Sequence, residues 1–232
     1  MGVKMGDMHL FNGLQGDYQQ VMNRVGEAAA RANRSAEEIT VVAVSKGHPP
    51  DEVAALYEAG HRDFGENRAS EMAEKAGALP DDIRWHFVGS LQSNKVRAVR
   101  GRTHLLHSLD RMSLAKAWLK GIGAPSPVLI QVNIGREEQK GGVLAEQAGD
   151  LVERVVELGL HPRGLMAIPP LGGRPEDSRK FFVELRDLQG RLAIDAHQLT
   201  ELSMGMTDDF EVAIEEGASI IRVGRAIFES TH

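Results

Sequence analysis

The chain is predicted to fold as a single-domain α/β protein, a (β/α)₈ TIM barrel preceded by one extra N-terminal helix. Two observations carry this. Eight short apolar segments alternate with segments of helical spacing, and the 232-residue length falls where α/β barrels stand as one domain. An open doubly wound sheet shares the alternation, but the strand count favours closure. No linker, low-complexity run or charge block divides the chain.

The elements follow in order. Residues 14–33 place Leu14, Tyr18, Val21, Val25, Ala28 and Ala29 at helical spacing, the extra helix. Residues 1–12 read as a disordered extension, with the barrel domain at 13–232. The β-branched run ITVVAVSK is a first strand, followed by a helix that proline opens and glycine closes, PPDEVAALYEAG. HRDFG, IRWHFVGS and THLLHSLD repeat the pattern before ENRASEMAEKAGAL, LQSNKVRAVRG and RMSLAKAWLKGIG. SPVLIQVNI and RGLMAIPP lead through loops to the helices at 144–159 and 176–193. LTELSMGM and SIIRVG complete eight strands, the last followed by a short tail.

A net charge of −6 and a sequence pI near 5.9 give no reason to expect nucleic acid or anionic lipid as a partner. The absence of cysteine removes disulfides, thiolate metal sites and thiol nucleophiles. Neither a signal sequence nor an apolar run of membrane-spanning length is visible, so a cytoplasmic protein without a membrane partner is expected. Arg97, Arg100 and Arg102 read as a solvated helix face.

In such a barrel the active site lies where the strands end, and phosphate binds after strands seven and eight. Ser203, Gly205 and Thr207 stand after strand seven; Arg222, Gly224 and Arg225 stand around the end of strand eight. Taken singly, Ser203 and Thr207 read as helix caps and Gly224 as a turn residue. Their coincidence at both places describes a phosphate cup formed by hydroxyls, helix N-terminal amides and a glycine that lets backbone approach an anion. No GxxxxGK[ST] or GxGxxG appears, which points away from nucleoside triphosphates and dinucleotides. Lys46 follows VVAVS at the carboxyl end of strand one. There its amine, partly desolvated by the barrel walls, could attack an aldehyde to form an imine; a solvated loop lysine is the plainer alternative.

Those residues, with VAVSK, FGEN, WHFVGSLQSNK, VN at Val132, KGG at Lys140, GLMAIPP, ELSMGMTDD and IRVGRAIF, make the chain resemble the pyridoxal phosphate homeostasis proteins, relatives in fold of the amino-terminal barrel of alanine racemase. The resemblance runs from about Leu14 onward. It implies a fold-type III barrel binding pyridoxal 5′-phosphate (PLP) as an internal aldimine on Lys46. Phosphate contacts would come from Ser203, Thr207, Gly224 and the Arg225 backbone. Arg222 would face the pyridine nitrogen, with Asn67, His86, Ser90 and Asn133 lining the mouth. Thr207 stands where a serine is usual, which keeps the hydroxyl, and Glu229 stands where the family usually ends IFG. The implied function is storage and supply of PLP within the cell, by a monomer without strong catalytic activity. Other B6 vitamers and apo-enzymes that need PLP are the expected partners.

A PLP-dependent amino-acid racemase is the alternative. It needs an acid-base group opposite the lysine, which racemases take from a tyrosine on a second domain. No such domain is expected here, and neither Tyr18 nor Tyr57 stands at a strand end; His48 or His86 could substitute in principle. A cofactor-free aldolase using Lys46 on a sugar phosphate is a third possibility. His104 and His107 flank strand four without matching acids, so no metal site is expected.

Overall fold

In the computed structural model, which describes residues 5–121, 123–170, 172–193 and 198–229, eight parallel strands close in sequence order into a barrel among the described residues. They are β1 Thr40–Val44, β2 Asp63–Glu66, β3 Arg84–Phe87, β4 Thr103–Leu109, β5 Val128–Val132, β6 Pro162–Ala167, β7 Glu201–Met206 and β8 Ile220–Val223. The pairing of β1 with β8, from Thr40 opposite Ile220 to Ala43 opposite Val223, closes the ring and excludes the open sheet.

The helices are α1 Met5–Arg31, α2 Pro50–Glu58, α3 Ala69–Ala78, α4 Val96–Val99, α5 Met112–Leu119, α6 Ala148–Glu157, α7 Arg179–Ala193, α8 Phe210–Glu215 and α9 Arg225–Phe228. The extra helix α1 begins earlier than residue 14, and residues 1–4 of the expected extension lie outside the described residues. Val21, Val25, Ala28 and Ala29 bury its inner face. Arg24 and Arg31 tie it to α8 through Glu211 at 3.0 Å and Glu215 at 2.8 Å. α4 is only one turn long and is flanked by 3₁₀ turns at Ser93–Lys95 and Arg100–Arg102. Its arginines do not form one solvated face. Arg100 is buried, with Nη2 donating to the Gly123 carbonyl at 2.8 Å, because the chain around Gly121 packs across it.

Strand parity divides the core in two. Successive side chains on a strand point to opposite faces. Val41, Ala43, Phe64, Trp85, Leu106, Leu165, Leu202 and Ile221 face outward into a large cluster under the helices. Their neighbours Val42, Leu105, Leu129, Met166 and Ile220 face inward and form a separate small cluster inside the barrel. Leu129 is fully buried there. Leu129→Ala should cost about 2–5 kcal/mol, because a ring of strands cannot collapse onto the void. Urea denaturation measures this, and a loss under about 1 kcal/mol would mean the interior repacks.

Candidate functional site

A cavity of about 1080 Å³ opens at the carboxyl ends of the strands, lined by residues that include Lys46, Asn67, Thr207, Arg222, Gly224 and Arg225. Lys46 lies two residues beyond β1 and shares the inward parity of Val42 and Val44, which directs it over the barrel. Its side chain is exposed, so the barrel walls do not give it the desolvation expected from its position.

The backbone turns around the mouth are shaped by two glycines. Gly205 in β7 has φ +91°, and a Cβ there would lie 2.5 Å from that of Ala213; only glycine lets the strand bend this way against α8. Gly224 precedes α9, and a Cβ on it would approach the Val44 carbonyl oxygen to 3.1 Å. The β8 turn therefore sits close against the end of β1 and brings the backbone at Arg225 to the mouth near Lys46. Thr207 Oγ1 accepts from the Ala226 N–H at 3.5 Å, linking the two turns. Asp208 and Arg225 pair at the rim. These contacts gather the Thr207 hydroxyl and the backbone of Gly224 and Arg225 at one edge of the cavity, an arrangement suited to a phosphate.

Arg222, 4% exposed, forms part of the cavity floor. Its Nη1 donates to Ser203 Oγ at 2.6 Å and its Nη2 to the Ala167 carbonyl at 3.0 Å. Burial lowers its pKa to about 10, opposed by the charge of Asp209, so it remains a cation at neutral pH and can only donate hydrogen bonds. Asn67 lines the wall, and its buried Oδ1 has no partner among the described residues, an acceptor fit for a ligand hydroxyl. Ser90 and Asn133 also line the cavity. Asn133 holds the loop after β5 by bonds to the backbone of Glu137, with Nδ2 donating at 2.8 Å and Oδ1 accepting at 3.1 Å.

Two of the residues expected at the mouth are elsewhere. Ser203 and His86 do not line the cavity; both are buried inside the barrel. Ser203 is the third residue of β7, three below Met206, which at a strand rise of about 3.3 Å per residue is roughly 10 Å down. His86 is the third of β3, where parity turns it inward to meet His107 at 2.9 Å and Asp63 at 3.1 Å. His107 and Asp63 were not anticipated as members of a site. The available signal was parity, since both share the inward face once β2 and β4 are in register. A cluster of Ser45, Glu66 and Lys75 on the outer face beneath Lys46 was also not anticipated, and a buried lysine four residues beyond Glu71 on an amphipathic helix gives little warning. Among the described residues no tyrosine lines the cavity: Tyr18 bonds His61 at 3.1 Å and Tyr57 donates to Asp82 at 2.7 Å.

Comparison with known proteins places this architecture. The model of the alanine racemase N-terminal domain matches residues 17–231. The chain is 43% identical over 217 residues to the pyridoxal phosphate homeostasis protein of Aquifex aeolicus, covering 90% of this chain and 94% of that one. It is 37% identical over 229 residues to the protein of the same name from Escherichia coli K12, covering 94% and 96%. The chain belongs to the pyridoxal phosphate homeostasis protein family.

Among solved structures, PipY of Synechococcus elongatus PCC7942 with PLP bound superposes with a TM-score of 0.75 at 32% identity, covering 88% of this chain and 99% of that one. A lysine/ornithine decarboxylase from Vibrio vulnificus, at 14% identity and a TM-score of 0.72, shares the fold alone. The two homeostasis-protein relatives thus align over 94% and 96% of their own lengths.

Proposed function

We propose that this chain binds PLP in the mouth cavity, attached to Lys46, and maintains the cell's supply of the cofactor by storing and delivering it without strong catalysis. One observation carries the reading: Lys46, the donor-only Arg222 and the Thr207–Gly224–Arg225 cradle all line a single cavity. Lys46, at the mouth beyond β1, would be the residue that holds the cofactor's aldehyde carbon, and the reversibility of amine–aldehyde chemistry would allow delivery. Thr207, Gly224 and the Arg225 backbone would hold the phosphate, and the buried Asn67 Oδ1 would be available to accept from a ligand hydroxyl. Bound PLP supplies an electron sink, and Arg222 weakens it, since a guanidinium cannot accept a proton and so favours an unprotonated ring nitrogen.

The racemase alternative needs an acid-base group across the cavity from Lys46. Neither histidine considered for that role lines the cavity: His86 lies in the barrel interior, and His48 stacks on Phe228 and bonds Glu52 at 2.9 Å. The same reading makes PLP and other B6 vitamers the ligands, apo-enzymes that need PLP the recipients, a monomer the working form and the cytoplasm its compartment. The lack of cysteine suits a reducing compartment, and no helix among the described residues is long and apolar enough to cross a membrane.

Titration of the purified protein with PLP, followed by borohydride reduction and peptide mapping, tests the reading. A visible absorbance band whose reduced product maps to the Lys46 peptide is expected. A colourless mixture would leave a cofactor-free aldolase ahead. α-Proton exchange of amino acids in deuterated water should not exceed that of free PLP, and clear exchange would favour the racemase. Thr207→Val keeps the shape but removes the hydroxyl from the cradle. It should weaken PLP affinity roughly threefold to tenfold in equilibrium dialysis; an unchanged affinity would move the phosphate elsewhere.

A further inference from the structure

A line of polar side chains crosses the barrel interior from its amino-terminal end to the floor of the mouth. Asp63, first residue of β2, receives Arg84 Nε at 2.7 Å and lies 3.1 Å, through Oδ1, from His86 Nε2. His86 Nδ1 lies 2.9 Å from His107 Nε2, and His107 Nδ1 lies 2.8 Å from Ser203 Oγ. Ser203 Oγ accepts from Arg222 Nη1 at 2.6 Å. His86, His107, Ser203 and Arg222 are each at most 4% exposed. These residues come from five strands, β2, β3, β4, β7 and β8.

The chemistry of the two ends sets the direction of every bond between them. Arg222 can only donate and an ionised carboxylate can only accept. With Arg222 donating to Ser203, the hydroxyl sends its own hydrogen to His107 Nδ1. His107 then carries its hydrogen on Nε2 and gives it to His86 Nδ1, and His86 gives its Nε2 hydrogen to Asp63. Five groups are satisfied by four bonds, all pointing the same way, and such chains polarise cooperatively in a low-dielectric interior. The reverse order would ask Arg222 to accept. A doubly protonated histidine in the line would leave the Ser203 hydrogen without a taker, since among the described residues its hydroxyl has Arg222 and His107 as partners. Burial, with help from His86, Arg222 and His104, holds His107 well below its ordinary value and keeps it neutral. For Asp63, burial opposes ionisation, but hydrogen bonds from Arg84 and His86 outweigh it and hold the carboxyl well below the usual carboxylate range.

We propose that Asp63, His86, His107 and Ser203 are positioning residues that form a one-directional hydrogen-bond relay, pinning Arg222 so that it presents only donors to the ligand atom above it. The proposal rests on the PLP reading for the identity of that atom, the ring nitrogen. Through it, a group at the far end of the barrel governs the protonation state of the bound cofactor and how long it stays. No proton passes along the line, because Arg222 cannot release and recapture one at working pH. The relay acts as a fixed row of dipoles.

The first test needs no cofactor. In ¹⁵N-histidine-labelled ligand-free protein, NMR should show His86 and His107 as neutral Nε2–H tautomers. A protonated ring or an Nδ1–H tautomer at either residue would overturn the relay. The second test compares PLP-loaded wild type with His107→Phe, which removes both bonds, and His107→Gln, whose amide can accept from Ser203 and donate to His86. His107→Phe should shift the pH profile of the cofactor's absorbance and speed PLP release about threefold to tenfold, and His107→Gln should recover part of each. Equal profiles and release rates in wild type and His107→Phe would refute the proposal, whereas a variant that fails to fold leaves the tautomer measurement decisive. Wild type that takes up no PLP would refute the cofactor reading while the tautomer result still decides the relay.

Discussion

Lys46→Ala protein mixed with PLP is expected to lose the borohydride-fixed adduct at position 46 while keeping weak, reversible binding. The two losses separate because different atoms cause them. The covalent bond needs an amine over the barrel, and the substitution removes it. Thr207, Gly224, Arg225 and Arg222 are unchanged and still offer donors to the phosphate and the ring. Loss of the bond should weaken apparent affinity by tenfold or more, each factor of ten corresponding to about 1.4 kcal/mol. Lys140 also lines the cavity, but its Nζ donates to the Pro169 carbonyl at 2.9 Å and pairs with Glu137 at 2.5 Å, so it should replace Lys46 poorly. Dialysis and peptide mapping measure both quantities. An adduct of undiminished yield in the variant would move the attachment to another lysine. Retention of wild-type affinity without an adduct would make the cradle, not the imine, the source of binding.

Lys75→Met should be the most destabilising single change outside the apolar core. Lys75 and Glu66 form an ion pair with side chains 4% and 0% exposed. The Lys75 ammonium also donates to the Ser45 carbonyl at 2.6 Å, and Ser45 Oγ donates to Glu66 Oε1 at 2.7 Å. Methionine matches the stem of lysine but leaves the Glu66 carboxylate buried, with Ser45 Oγ as its remaining donor and Oε2 without a partner among the described residues. Removing one member of a buried pair costs about 3–5 kcal/mol, chiefly the stranded charge. For a chain of this size that is a fall in melting temperature of roughly 6–20 °C. Adding Glu66→Gln to Lys75→Met removes the charge and should restore much of the loss. Thermal and urea denaturation of both variants test this; a cost under about 1 kcal/mol, or a double variant no better than the single, would show that the carboxylate is hydrated or protonated. Because the Ser45 carbonyl immediately precedes Lys46, the single variant should also lower the yield of the Lys46 adduct.

The architecture was legible because its signals are local. Alternation of β-branched runs with helical spacing needs only neighbouring residues, and it placed all eight strands to within a few residues of their observed ends. The exceptions are the places where packing overrides spacing. α4 shrank to one turn where Arg100 is drawn under the loop at Gly121 and Gly123. The mouth residues that follow the last residue of a strand, Lys46, Thr207, Gly224 and Arg225, were legible for the same reason: the end of a strand is a local feature, and the barrel puts every such end on one side.

Depth inside the barrel was not legible. Ser203 and His86 are within a few residues of the mouth by count, yet each lies below it, and a shift of one residue in strand assignment would reverse which face they occupy. The bond between His107 and Ser203 joins residues 96 apart, and that from Ser45 to Glu66 joins residues 21 apart. From the sequence alone came the barrel, the order of its strands, the lysine at the end of the first and the cradle after the last two. Only the tertiary structure decided which polar residues face the interior, which of them meet, and that Arg222 is held from behind. Spacing along a chain encodes the face a side chain takes within its own element, whereas contact across a closed barrel depends on the register of all eight strands at once.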